Sequence, residues 1–106
     1  MANLSPTEGS EQDGTRPILI VSRDAINNNS PVIVAIPITK ATNKGRLYPS
    51  HVPFKAGDGG LLMDSVALCE QIRAISKTRV RQNLGKLTRA QMASVEAALK
   101  ITLDLS

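Results

Sequence analysis

Two apolar runs set the limits on how this chain can fold. Residues 18–21 (Ile-Leu-Ile-Val) and 32–38 (Val-Ile-Val-Ala-Ile-Pro-Ile) are almost unbroken and rich in β-branched side chains. Runs of this kind form strands covered on both faces. The link between them carries Asn27, Asn28, Asn29, Ser30 and Pro31, a turn cluster too short to hold a crossover helix. The two strands are therefore expected to be antiparallel neighbours. That pairing sets the start of the first beside the end of the second, so Arg16 and Thr39 share one rim of the sheet. Pro17 fixes φ at the strand mouth, where a missing N–H costs least.

The other segments are shorter. Residues 1–16 read as a loop of Ser, Pro, Thr, Glu and Gly without an apolar period, and 40–47 as a basic loop with Lys40, Lys44 and Arg46. Residues 48–55 alternate loosely, and Pro49 and Pro53 demote them to an edge or bent strand. Residues 57–60 (Gly-Asp-Gly-Gly) are a turn. Residues 61–75 have two readings. Leu62, Val66, Cys69 and Ile72 fit helical spacing, whereas Val66, Leu68, Glu70 and Ile72 fit a strand; periodicity alone leans to the helix. A short turn is expected over 76–80 and a short strand over 82–87. Thr88 with Gln91 forms a capping-box pattern at the head of a helix over 88–103, whose apolar stripe is Met92, Val95, Leu99 and Thr102 or Leu103. The order of elements gives a mainly β, α+β domain, a small barrel or half-barrel of short antiparallel strands with a C-terminal helix.

At 106 residues the chain has room for one core. Only Tyr48 and Phe54 are aromatic, so the core is aliphatic and no row of stacking platforms for single strands is present. Residues 1–15 hold three acids and no base. The remainder carries all 13 Lys and Arg against six of the nine acids, a balance that favours a polyanionic partner. The single cysteine, Cys69, excludes an internal disulfide and suits a reducing compartment. No apolar run reaches the roughly 18 residues of a membrane span, and the start has no signal-peptide pattern, so a cytoplasmic protein without a membrane partner is expected.

Most catalytic sets are missing. One His and one Cys cannot build a metal site of three or four ligands, and no phosphate-binding glycine motif is present. A Cys69–His51 nucleophilic pair competes with the simpler reading of Cys69 as a buried apolar side chain. Arg16 and Thr39 remain. A guanidinium at a strand end offers a planar fork to a phosphate, although the same position suits a solvated charge. Thr39 is either its partner or a hydroxyl capping a turn.

At these residues the chain resembles the MazF/PemK family of toxin–antitoxin ribonucleases. The resemblance is carried by residues 9–17 (Gly-Ser-Glu-Gln-Asp-Gly-Thr-Arg-Pro), 32–39, 49–52 (Pro-Ser-His-Val), 64–75 and 84–87, in the family's order along nearly the whole chain. It implies an SH3-like β-barrel that homodimerises and has residues 64–75 chiefly as strand. It also implies sequence-specific cleavage of single-stranded RNA without metal or cofactor, leaving 2′,3′-cyclic phosphate and 5′-hydroxyl ends. A MazE-like antitoxin with an acidic tail would cover the same groove. The family's catalytic arginine falls on Arg16 and its threonine on Thr39. RNA-contacting positions fall on Glu11, Gln12, Asn27 and Gln71, with Lys40, Lys44 and Arg46 along the backbone. Glu11 is open between general base and base reader. The chain begins inside the family's first strand, which is expected to be largely truncated. Two alternatives stand beside this one: a non-enzymatic CcdB-like binder of gyrase, and an inactive copy that only binds antitoxin.

Overall fold

The computed structural model describes residues 2–4, 16–41 and 48–105. In chain order the elements are β1 (Ala2–Leu4), β2 (Arg16–Ile20), α1 (Asp24–Asn29), β3 (Val32–Lys40), β4 (His51–Phe54), β5 (Ser65–Leu68), β6 (Arg73–Ser76), β7 (Val80–Asn83) and α2 (Arg89–Leu103). Three 3₁₀ turns, Asp58–Gly60, Cys69–Gln71 and Lys77–Arg79, connect them. The strands form one antiparallel sheet in the order β4-β5-β3-β2-β1-β7, with β6 also paired to β3. It is an open version of the expected SH3-like arrangement: among the described residues no pairing joins β4 to β7.

β3 organises the sheet. It pairs with β2 along one side and with β6 and then β5 along the other. The β6 ladder ends at Ala35 and the β5 ladder begins at Ile38. Pro37, which has no N–H to donate, falls in the gap between them, so a proline is accommodated in a central strand. The turn Cys69–Gln71 carries the chain across the same gap from β5 to β6.

The two faces of β2 and β3 bury different clusters. Leu19, Ile36 and Ile38 join Val52, Phe54, Ala67 and Cys69 under α2, which contributes Val95 and Ala98. Ile18, Ile33, Ala35 and Ile75 form a second cluster on the opposite face. Burying side chains such as Ile36 and Ile38 stabilises by about 1.5–3 kcal/mol each. The helix starts as its sequence demands: Thr88 Oγ1 accepts from the Gln91 amide at 3.1 Å, and the Thr88 amide donates to Gln91 Oε1 at 2.7 Å.

Several expectations need correction. Residues 61–75 are not helical, against the lean of their periodicity; residues 64–75 are chiefly strand, as the resemblance implies, and hold β5, a 3₁₀ turn and the start of β6. The sequence expected as loop before residue 16 contains β1, which pairs with both β2 and β7. The asparagine cluster is the short helix α1 rather than a turn, because its side chains close on local partners: Asn29 Nδ2 donates to the Ala25 carbonyl at 2.9 Å. The last strand is Val80–Asn83, starting earlier than expected. On α2, Leu103 is exposed, and Thr102 Oγ1 donates back to the Ala98 carbonyl.

Candidate active site

The β2–β3 register decides where the two candidate residues meet. Ile18 lies opposite Pro37, Leu19 opposite Ile36 and Ile20 opposite Ala35. Carried two residues along, that register sets Arg16 opposite Thr39. Residues directly opposed in an antiparallel pair have Cβ atoms about 4.5–5.5 Å apart and point to the same face. Arg16 is exposed at the first position of β2, Thr39 is half-buried, and Lys40 is exposed at the last position of β3.

These three residues line a cleft of about 410 Å³, together with Pro17 and Ile38. Leu61, Leu62, Met63, Ser65 and Leu84 complete its lining, which is largely apolar on this segment. The lining thus combines two cations and hydroxyl groups with hydrocarbon. A phosphodiester held by the cations would have its flanking groups within the same cleft as the apolar residues. A guanidinium beside a hydroxyl can bind a phosphate bidentately and stabilise added charge on it.

The remaining sequence candidates are distributed differently. Glu11, Gln12, Lys44 and Arg46 lie outside the described residues. Asn27 sits on α1, beyond the end of β2 opposite to Arg16. Its Oδ1 accepts from the Ser22 hydroxyl and its Nδ2 donates to the Ser22 carbonyl at 2.8 Å, while Lys77 Nζ donates to its backbone carbonyl. Its amide group is thus engaged in holding α1 against the end of β2. Gln71 is exposed at the end of the 3₁₀ turn between β5 and β6 and is not among the cleft-lining residues.

Cys69 and His51 do not pair. His51 Nδ1 lies 3.4 Å from the Tyr48 amide, and its Nε2 faces Glu70 Oε2 at 3.3 Å. Glu70 Oε1 also accepts from the Ser50 hydroxyl at 2.8 Å. Partial burial pushes the Glu70 carboxyl upward, but the Ser50 hydroxyl, its own backbone amide and His51 outweigh it and hold the group below its ordinary value. Cys69 lies in the core, where burial and then the neighbouring Glu70 charge push its thiol upward, away from the nucleophilic thiolate. Among the described residues no group of three or more His, Cys, Asp or Glu is placed to hold a metal ion, and no helix is long and apolar enough to cross a membrane.

The apolar wall was missed by sequence reasoning. Leu61, Leu62 and Met63 are three consecutive apolar residues directly after a glycine turn, and the helical spacing that Leu62 fits points it toward a core instead. Only Leu61 is buried.

The family profile described as "PemK-like, MazF-like toxin of type II toxin-antitoxin system" matches residues 1–103. The chain belongs to this family. It is 41% identical over 106 residues to the Endoribonuclease MazF of Staphylococcus epidermidis, covering all of this chain and 88% of that protein. Solved MazF structures share its fold. The structure of an "Endoribonuclease in complex with its cognate antitoxin" from Mycobacterial species superposes with a TM-score of 0.79 at 26% identity, covering 99% of this chain and 93% of that one. A MazE–MazF crystal structure from Deinococcus radiodurans superposes with a TM-score of 0.76 at 26% identity, covering 99% and 91%. Among PemK-like toxins, the cleft at the β2–β3 rim of this chain is therefore a candidate site for RNA.

Proposed function

We propose that this chain is a sequence-specific endoribonuclease toxin of a type II toxin–antitoxin system, with Arg16 and Thr39 acting on the scissile phosphate. The observation that carries this reading is that Arg16, Thr39 and Lys40 all line one cleft at one end of the β2–β3 pair. RNA supplies its own nucleophile. The 2′-oxygen attacks the adjacent phosphorus, the bond to the 5′-oxygen breaks, and the proton lost from the 2′-hydroxyl is balanced by one gained at the departing 5′-oxygen. The products are a 2′,3′-cyclic phosphate and a 5′-hydroxyl.

In this scheme Arg16 donates to the non-bridging oxygens as charge builds on them, and Thr39 donates a third hydrogen bond that fixes the phosphate in line. Lys40 holds a neighbouring phosphate as a point charge. Glu11 and Gln12 immediately precede this site in sequence and are proposed to face the bases, with Glu11 also a candidate for the proton acceptor. Gln71 and Asn27 are proposed as RNA contacts farther along the strand. For Asn27 that role requires release from Ser22 or use of atoms the Ser22 clasp leaves open.

The partners follow from the same reading. A homodimer is proposed as the working form, with a MazE-like antitoxin whose acidic segment competes for the Arg16–Lys40 rim. The test is digestion of a mixed-sequence RNA in EDTA, followed by analysis of the new ends. Cyclic phosphate and 5′-hydroxyl ends at a restricted set of sites are expected. Cleavage that needs added Mg²⁺, or that leaves 5′-phosphates, would overturn the scheme.

A further inference from the structure

We propose that Leu62 and Met63 form a base-packing wall that selects the nucleotide flanking the scissile phosphate. The inference rests on the ribonuclease reading and extends it from the phosphate to the base. Leu62 is 91% exposed and Met63 47% exposed. Single exposed apolar side chains are ordinary, so exposure alone would carry nothing. Rigid presentation and position distinguish these two.

The backbone that displays them is tied down on both sides. Leu61, immediately before, is buried in the main core, its carbonyl accepts from the Gly57 amide at 2.7 Å, and its amide donates to the Asp58 carbonyl at 2.9 Å. The Met63 carbonyl accepts from the hydroxyl of buried Ser65 at 2.8 Å. Asp64 then holds two strands' flanks, accepting from the Ala56 amide through Oδ1 and from the Ala41 amide through its carbonyl. Ala41 directly follows Lys40, so the segment that carries Leu62 and Met63 is tied to the end of β3 that carries Lys40. Two apolar side chains are held toward a cleft wall, at no ordering cost to their backbone when a ligand arrives.

The occupant is set by the cations in the same lining. Arg16 and Lys40 draw a phosphate, and a phosphate bound there brings a flat, weakly hydrated base within reach of Leu62 and Met63. About 410 Å³ lies within the range of roughly 300–1,000 Å³ found for sites that enclose small organic groups. The usual aromatic platforms are not available to this chain: Phe54 is in the core and the Tyr48 ring meets His51 edge-on, away from the cleft lining. An aliphatic wall replaces them. Flipped or unstacked bases are held between apolar as well as aromatic side chains in nucleic-acid enzymes. Such a wall discriminates by the size and hydration of the base, whereas amides read its edge.

The test compares the wild type with the Leu62→Ala/Met63→Ala protein on one RNA pool of randomised sequence in EDTA, sequencing the new ends and measuring kcat and KM on the preferred site. The double variant is expected to fold normally, to lose about fivefold to tenfold in kcat/KM mainly through KM, and to lose base preference at one nucleotide beside the cut. An unchanged end profile with kcat/KM within twofold of wild type overturns the proposal. Unchanged cleavage with weakened inhibition by the cognate antitoxin also overturns it, assigning the wall to a protein partner. If the wild type cuts no RNA, the ribonuclease reading fails separately. Fluorescence anisotropy on the same pool then decides the wall, with weaker binding by the double variant supporting it and equal binding overturning it.

Discussion

A Cβ placed on Gly60 would stand 2.0 Å from the carbonyl oxygen of Leu84. The turn before the apolar wall and the segment after β7 are thus packed backbone to backbone, and this contact keeps Leu84 at the cleft. Gly60 also has φ +86, a conformation that side-chain-bearing residues rarely adopt. Gly57 has φ +99 but meets nothing within 4 Å. Gly57→Ala should cost about 1–2 kcal/mol, the conformational term alone. Gly60→Ala should cost more, because the collision is with backbone and cannot be relieved by rotating a side chain. Urea denaturation of both variants checks the ranking, and equal losses would contradict it.

Cys69 should be silent in catalysis and in surface chemistry. It is fully buried, and burial with the nearby Glu70 charge favours its protonated form. Thiol reagents at neutral pH should leave the native protein unmodified and its cleavage rate unchanged, with labelling appearing only as the chain unfolds in denaturant. Rapid labelling of the native protein with loss of cleavage would restore the Cys69–His51 pair.

Glu70 gives the fold a pH dependence of known sign. Its carboxyl is held below the ordinary 4.5, so the folded state binds that proton less readily than the unfolded chain. The resulting stability is present in full above the unfolded value and is lost as pH falls through the lower folded value. Glu70→Gln should remove this dependence. The difference in stability between wild type and variant should therefore narrow as the medium is acidified below about pH 4.5. A difference that stays constant through this range would show that Ser50 and His51 do not favour the ionised form.

The capping box on α2 gives a stability test independent of the cleft. Thr88→Ala removes the acceptor for the Gln91 amide and should cost about 1 kcal/mol by denaturation. A helix held by packing alone, through Val95 and Ala98, would show no loss.

How far the structure could be read in advance depended on whether the deciding interactions were local. Thr88 and Gln91 sit three residues apart and satisfy each other, so the helix start was visible as spelling. The β2 and β3 runs were visible because a continuous apolar stretch has few other uses, and their antiparallel pairing followed from the short link. Residues 61–75 were opaque because Ser65, Val66 and Ala67 are all buried in a strand paired on both sides. The turn Cys69–Gln71 then breaks the alternation before β6, so neither period survives. The helix at Asn27 was hidden because asparagine runs ordinarily mark turns, and one of the contacts that holds it, from Lys77, comes from fifty residues along the chain. Arg16 and Thr39 were traceable to one rim from strand direction alone. The hydrocarbon in the same cleft was not, since nothing in Leu61, Leu62 and Met63 announces which of the three turns outward.

The central claim is that Arg16 stabilises charge on the scissile phosphate. Single-turnover cleavage of a preferred RNA site by wild type, Arg16→Ala and Arg16→Lys in EDTA tests it most directly. Arg16→Ala should slow the chemical step by about 100-fold to 1,000-fold, with Arg16→Lys recovering only part of it because a point charge lacks the fork. Cleavage by folded Arg16→Ala at the wild-type rate would contradict the account.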